Sequence, residues 1–575
     1  MSNYERFPHI TVSENQSDVV RGYDQIISRL RELSQQSKVI IAETYPGVRD
    51  DEILPQLRKL NPSLIIETKD LYLSEEQMTE TMYPWLTDDR TFGHMYSGTV
   101  ETFMNADALA QARRLVENAE GTVLVYGMGA SLVSEGDLIV YFDLARWEIQ
   151  LRYRAGMGNY NCSNYDEDIL RKYKRGYFVE WRMADRLKFD LLDRIDLLID
   201  TNAANDPKMI SGASFRTGLK TAATRPFRLV PYFDPGVWGG QWMKDHCNLD
   251  PSAPNYAWSF DGVPEENSRL LRFGEVDVEI PAMDLTLYQP KQLLGEKNYA
   301  RFGAEFPIRF DFLDTIHGRN LSLQVHPLTD YIHRQFGMAY TQDESYYILD
   351  AEEGACVYLG VKTGTTPDAM INALKEAQET GEFEAEKYVN KIPAKKHDHF
   401  LIPAGTIHCS GSNAMVLEVS ATPYIFTFKL WDWGRLGLDG KPRPINIEHG
   451  SHVIQWDRTT DWVYDNLVNH FEPIVSEEGY DEEHTGLQDL EFIETRRYTI
   501  RDAVEFELHD SVSMCNLIDG TKAWITSPDN AFEPFEVHYA ETFILPASIG
   551  RVRVSAEEGE VKLLRAYVRG SFSCE

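Results

Sequence analysis

Four residues in the second half of the chain have the types and contexts to hold a metal ion. Gln324 and His326 stand two apart in NLSLQVHP, residues 320 to 327, Glu344 follows in TQDESYYILD, and His408 stands in LIPAGTIHCSG. Read as a β-strand, the first stretch puts Gln324 and His326 on one face and Leu323 and Val325 on the other. Taken alone the pair is also what a strand facing water displays. The separations from 326 to 344 to 408 are too wide for a helix-borne zinc motif and suit ligands delivered from separate strands of a β-barrel. Two imidazoles, one carboxylate and one amide oxygen would suit Zn²⁺ or another divalent first-row metal, with a position left for water or substrate, which is a catalytic rather than a structural arrangement. The Pro-Ala-Gly turn before Thr406 gives the following strand a fixed direction, and alternation puts Ile407 on the face opposite His408. Any one of these histidines alone more often serves as a hydrogen-bonded structural residue, so the combination carries the reading.

Such ligands need a β-rich scaffold, and the texture of the sequence supplies one. From about residue 226 onward, short β-rich runs, frequent Gly and Pro turns and two Trp-rich patches predict antiparallel barrels or sandwiches. Within them TTPDAMINALKEAQETGEFEAEKYVNKI predicts a helical excursion, and the glutamate-rich SEEGYDEEHT a linker to a last β unit. Earlier, KVIIAE (38 to 43), SLIIET (63 to 68), GTVLVYG (121 to 127), DLIVYFD (137 to 143) and DLLID (196 to 200) alternate with helical segments such as ADALAQARRLVENA, the pattern of a parallel α/β sheet. The fold class expected is therefore multidomain: an N-terminal α/β domain over residues 1–225, a metal-binding all-β domain over 226–475, and a second β unit over 476–575 that lacks metal ligands.

Composition narrows the function. At 575 residues with 43% hydrophobic side chains the chain is long enough for several cores. A formal charge of −33 with no Lys/Arg tract argues against nucleic acid and against anionic membranes. An anionic substrate would need local positive charge against this overall field. The six cysteines, Cys162, Cys247, Cys356, Cys409, Cys515 and Cys574, show no C-x-x-C spacing and fit reduced thiols. No signal peptide and no window of ~20 apolar residues is present, so a soluble cytoplasmic protein is expected. Oligomeric state is not legible here.

The stretch from about Pro231 to the C-terminus resembles the class I phosphomannose isomerases of the cupin (jelly-roll) fold. The resemblance rests on VWGGQWMKD (237 to 245), LSLQVHP, the ESYYIL strand, IPAGTIH, VLEVS (416 to 420) and KLWDWGRLGLDGKPR (429 to 443), which occur in family order. It implies that Gln324, His326, Glu344 and His408 bind the catalytic metal, usually zinc. It also implies interconversion of mannose 6-phosphate and fructose 6-phosphate through a cis-enediol. That chemistry needs an electrophile at the sugar oxygens, a proton shuttle between C1 and C2, and a phosphate anchor.

Glu418 is the expected base, or else a partner to the ligands; its bland alternative is a solvated carboxylate. Lys429 stands where many members place an active-site Arg, and Gln342 where members typically show Lys. Lys429 keeps the charge but loses the planar fork for phosphate. Arg435 and Arg443 could compensate, or could be ordinary ion-pair residues. The alternative function these departures leave open is a sugar-sensing cupin that binds carbohydrate through its metal without turnover.

Residues 1 to 205 resemble a P-loop kinase of the uridine-kinase type that has lost its phosphate grip. VIIAETYPGVRDDEILPQL gives strand, loop and helix in order, but no G-x-x-x-x-G-K-[ST]. Arg146, Arg152 and Arg154 could contact an anion as in a kinase lid, but with the acid surplus ion pairing is the favoured reading. GMGAS (127 to 131) lacks the third glycine of a dinucleotide fingerprint. A non-catalytic domain is expected.

Overall fold

The computed structural model describes residues 2–14, 18–421, 426–438, 440, 443–486 and 491–570; Cys574, and Asp439, Lys441 and Pro442 of the 429–443 motif, lie outside the described residues. The chain forms two compact units, one of His9–Thr221 with Ser268–Tyr288, the other of Met1–Pro8, Ala222–Asn267 and Gln289–Glu575.

The first unit is built on a seven-stranded sheet of β1 (Val20–Arg21), β2 (Val39–Thr44), β3 (Leu64–Glu67), β4 (Val123–Tyr126), β5 (Leu138–Asp143), β6 (Leu197–Asp200) and β7 (Lys208–Ser211), in the order β1-β7-β6-β5-β2-β4-β3. The strands β2 to β6, which are the five apolar runs of the sequence, pair in parallel, and β7 and β1 add an antiparallel edge. Every residue of β2 and β5 is buried, which is why these strands read as continuous apolar runs rather than as alternations. The helix Ala106–Asn118 is capped by Asn105, whose side chain accepts from the amides of Asp107 and Ala108, and it buries Leu109, Ala112 and Val116. The antiparallel hairpin of Ser268–Phe273 with Val276–Pro281 belongs to this unit, with His9–Thr11 added in parallel at its edge.

Charge inside this unit is matched. Lys188 bridges Asp143 and Asp284, Arg175 pairs with Glu180 at 2.8 Å, and Arg146 pairs with Asp185. Arg152 pairs with Glu148 at 2.7 Å and donates to the carbonyls of Gly47, Thr201 and Asn202, while Arg154 lies over the Trp147 ring. The GMGAS turn holds an internal carboxylate: the amides of Gly129 and Ser131 donate to Glu43 at 2.5 and 2.8 Å. Burial pushes the Glu43 carboxyl up to about 7 despite these donors.

The second unit carries two sheets that hold the ligand candidates. A six-stranded sheet runs β15-β12-β17-β10-β9-β8 and a five-stranded one β14-β13-β16-β11-β18. Their strands are β8 (Tyr232–Asp234), β9 (Trp258–Gly262), β10 (Arg309–Asp314), β11 (Leu323–Val325), β12 (Glu344–Ala351), β13 (Cys356–Val361), β14 (Val389–Pro393), β15 (His399–Ile402), β16 (His408–Ser410), β17 (Ala414–Ser420) and β18 (Phe428–Trp431). All pairings within them are antiparallel. The helical excursion is the helix Pro367–Thr380, with Pro at its start and Thr366 as cap, followed by the short turn Ala385–Tyr388. Gly240 of the W-G-G stretch sits where a Cβ would lie 2.1 Å from Asp314 Oδ1, and Asp314 accepts from the amides of Met243 and Ile316, so that stretch serves as a structural anchor for β10.

The remaining strands form a six-stranded and a four-stranded sheet around a core that includes Leu508, Leu517, Phe543, Val552 and Leu563. One expectation fails here. The glutamate-rich segment is not a linker: Glu472–Ser476 and Tyr480–Gly486 pair as an antiparallel hairpin on the six-stranded sheet. Cross-strand neighbours supply the order that composition hides, with Glu482, Glu483 and Asp481 paired to Arg496, Arg497 and Arg501.

Candidate metal centre

Among the described residues, His326, Glu344 and His408 are the only group of three or more His, Cys, Asp or Glu positioned to hold a metal ion, with one donor atom from each lying within 4.8 Å of the others. Two strands of one sheet and one of the other bring them together. Gln324 on β11 is the Cα partner of His408 on β16 and, on its other side, of Lys429 on β18, while Glu344 opens β12 in the six-stranded sheet. Glu344 Oε2 lies 3.1 Å from His326 Nε2, its Oε1 lies 2.7 Å from His408 Nε2, and the imidazole centroids are 4.9 Å apart. The Gln324 amide sits 3.2 Å from His408 Nε2, and an amide flip would present its oxygen to the same point.

Hydrogen bonds behind the rings decide which nitrogens face inward. His326 Nδ1 lies 2.7 Å from the carbonyl of Phe426, and His408 Nδ1 lies 2.9 Å from that of Thr406. A carbonyl only accepts, so each Nδ1 carries a hydrogen, and in the neutral ring each Nε2 presents a lone pair toward Glu344. Buried acceptors converging in this way repel one another unless a cation or a proton lies between them. The fit to a divalent cation follows from that: His326 Nε2 and Glu344 Oε1 are both buried without a hydrogen-bond partner. Burial disfavours the imidazolium, but the Glu344 carboxylate overrides it and holds His326 above the ordinary histidine range. Burial likewise opposes ionisation of Glu344, and the two histidines win, holding it well below the carboxylate range.

Leu323 and Val325 are fully buried, and Gln324 and His326 are 8% and 1% exposed, so neither face of this strand meets water. Glu418 lies in the same interior: it is the Cα partner of Tyr346 on β12 and of Asp311 on β10, in the row next to Glu344. Gln342 ties the acids together. Its Nε2 donates to Glu344 Oε2 at 2.9 Å and reaches Glu418 Oε1 at 3.5 Å, while its Oε1 accepts from the Phe426 amide. Burial, then the charges of Glu344 and Asp311, hold the Glu418 carboxyl well above its usual range. Lys429, half-buried, stands beside Gln324 in register.

Arg435 is held by partners of its own. Its guanidinium donates to Asp432 Oδ1 at 2.6 Å and to the carbonyls of Asp432 and Asn320, and Arg443 binds the same Asp432 carboxylate at 2.9 Å. Both arginines clamp a loop, as the ion-pair alternative holds. What the sequence reading missed is the pair Arg309 and Asp311, 2.7 Å apart and buried in the row beside Glu344 and Glu418. The signal was present: PIRFDFLD alternates charged and aromatic residues with the period of a strand, placing both charges on one face. Burial pushes the Asp311 carboxyl up to about 7 even with Arg309 against it.

Two antiparallel sheets with a buried two-histidine, one-carboxylate set between their strands define a candidate metal-binding protein. The chain is homologous to mannose-6-phosphate isomerases: it is 25% identical to mannose-6-phosphate isomerase ManA of Bacillus subtilis (strain 168) over 233 residues, 40% of this chain and 69% of that protein. It is 26% identical to the mannose-6-phosphate isomerase of Streptococcus mutans over 231 residues, 40% of this chain and 67% of that one. The crystal structure of the mannose 6-phosphate isomerase from Bacillus subtilis aligns over 60% of this chain and 99% of its own, at 17% identity and a TM-score of 0.47, and adds nothing to the sequence relationship. Residues 22–224 match a family model described as a domain of unknown function (DUF8485). No helix among the described residues is long and apolar enough to cross a membrane.

Proposed function

We propose that the chain is a metal-dependent aldose-ketose isomerase that interconverts mannose 6-phosphate and fructose 6-phosphate through a cis-enediol on a cupin barrel. The observation that carries the reading is the convergence of two Nε2 lone pairs, each fixed by a carbonyl behind its ring, on the Glu344 carboxylate. His326, Glu344, His408 and the oxygen of Gln324 would hold the ion, zinc or another divalent metal. When bound, that ion supplies a Lewis acid for the carbonyl and the developing oxyanion.

The protein's own residues account for the rest. Glu418 moves the proton between C1 and C2, its carboxyl aimed by the amide of Gln342. Lys429 supplies positive charge for the substrate phosphate, against the chain's overall field. The interior keeps bulk water from the enediol, since the proposed ligands are 8% exposed or less. We read residues 1–225 as a kinase-like, non-catalytic domain, because the loop after β2, YPGVR (45 to 49), offers neither the Lys nor the Ser/Thr that grips phosphate and Mg²⁺. Residues 226–475 carry the site and 476–575 form a β unit without ligands.

The test is a coupled assay of the metal-loaded chain with mannose 6-phosphate, read beside metal analysis. His408→Ala and Glu344→Ala should lose metal and activity together, whereas Glu418→Ala should keep its metal and lose rate by about 10²–10⁴-fold. A fully loaded chain that gives no turnover would overturn the isomerase reading and favour a sugar-sensing cupin that binds carbohydrate through its metal.

A further inference from the structure

The first unit contains a cavity of about 580 Å³ that the isomerase reading does not use. The size falls within the roughly 300–1,000 Å³ typical of small-molecule sites. It opens beyond the C-terminal ends of the parallel strands. It is lined by Gly47 to Asp51, which follow β2 and begin the helix Asp50–Leu57, and by the Met157–Ser163 loop with Glu75 and Tyr165. Tyr126, the last residue of β4, donates to Asp50 Oδ1 at 2.5 Å. The cavity therefore stands over the neighbours β2 and β4, whose onward connections lead to β3 on one side and β5 on the other. That reversal of direction is where open α/β sheets bind ligands.

We infer that this cavity binds an uncharged polyhydroxylated small molecule, not a phosphorylated one. A phosphate would need positive charge left unmatched, and the charged side chains that line the site are mostly carboxylates. The first turn of the helix carries Asp50, Asp51 and Glu52, whose negative charge opposes an incoming anion at the positive end of the helix dipole. The one lining arginine, Arg49, is paired with Glu148 at 3.1 Å. Glu75 is engaged by the Ser163 amide and hydroxyl, which fixes the far wall.

What remains available suits hydroxyl groups. Asp51 is exposed and has no hydrogen-bond partner among the described residues, and Tyr165, 59% exposed, brings an aromatic surface to the rim. A carboxylate accepts from two adjacent hydroxyls, and an amphipathic ring covers the apolar face that a sugar ring presents. The hydroxyls could belong to a free monosaccharide or to the ribose of a nucleoside.

Calorimetric titration of the full chain with two matched pairs tests this: mannose against mannose 6-phosphate, and adenosine against ATP with Mg²⁺. Each is run on the chain carrying Glu344→Gln, so that the barrel site is silenced. The expected result is saturable binding of one uncharged member, at least tenfold tighter than its phosphorylated partner, with the pair that responds identifying the source. Asp51→Ala and Tyr165→Ala should each weaken that binding about tenfold with the thermal midpoint unchanged. The inference is overturned if neither uncharged ligand binds, if the phosphorylated member binds more tightly, or if both variants bind as the parent does.

Discussion

Two buried clusters, one in each unit, hold charge in opposite ways. In the parallel-sheet unit a set of buried ions sits against complements: Lys188 between Asp143 and Asp284, Arg175 on Glu180, and Glu43 on two backbone amides. At the candidate metal centre of the second unit, acceptors face acceptors, with His326 Nε2, His408 Nε2 and Glu344 gathered. Desolvated charge is tolerated only when neutralised. The first arrangement therefore completes itself and stabilises a fold, while the second calls for a cation or a proton between its acceptors. Buried ionisable groups as such do not separate the two cases; the sign of what faces them does.

The comparison can be broken at several points. Lys188→Met should be the most damaging change, because it leaves Asp143 and Asp284 without a cation; we expect a loss toward the upper end of ~3–5 kcal/mol in urea denaturation. Stripping the proposed metal should come next. At an ion concentration 1,000-fold above Kd the loaded chain should exceed the chelated one by ~4 kcal/mol, read as a fall in thermal midpoint on adding chelator. Equal midpoints would mean the barrel acceptors are completed by protons alone.

A third test uses His399, whose Nδ1 lies 3.0 Å from the Thr485 carbonyl and whose Nε2 lies 2.8 Å from Ser345 Oγ. Burial, with Arg497 adding to it, pushes this imidazole down to about 3. The unfolded chain takes up a proton near pH 6.5 that the folded chain refuses, so stability falls as pH drops through the window from about 6.5 to 3. The contribution is ~1.4 kcal/mol per pH unit. His399→Gln should therefore flatten the stability difference between pH 6 and pH 4 by ~2.7 kcal/mol. Gln342→Leu should give the smallest effect. It removes the donor that orients Glu344 without removing a ligand, and we expect about a tenfold loss of metal affinity by competition with a chelating dye.

How much of this was legible depends on whether a residue's task is local. The five parallel strands were legible because burial on both faces writes itself as uninterrupted apolar runs, and the convergence of Gln324, His326, Glu344 and His408 because strand alternation and family order agree. The hairpin at 472–486 was not, because its strands are stabilised by arginines ten or more residues away, and a run of acids looks the same in a linker as on a sheet. The pairing of Arg435 was not legible for a related reason: its partner Asp432 lies three residues away in sequence, yet nothing in the string says that the carboxylate turns toward it. The task of GMGAS, to hold Glu43, depends on a strand more than eighty residues earlier.

That acidic hairpin has one further consequence. Glu472–Ser476 is the outermost strand of its sheet, so one row of its amides and carbonyls is left for any passing extended peptide to copy. Ile474, 46% exposed, would make such copying adhesive. The surrounding carboxylates make a second molecule of the same kind an electrostatically poor match, and the rim that a polymer would grow from repels its own building block.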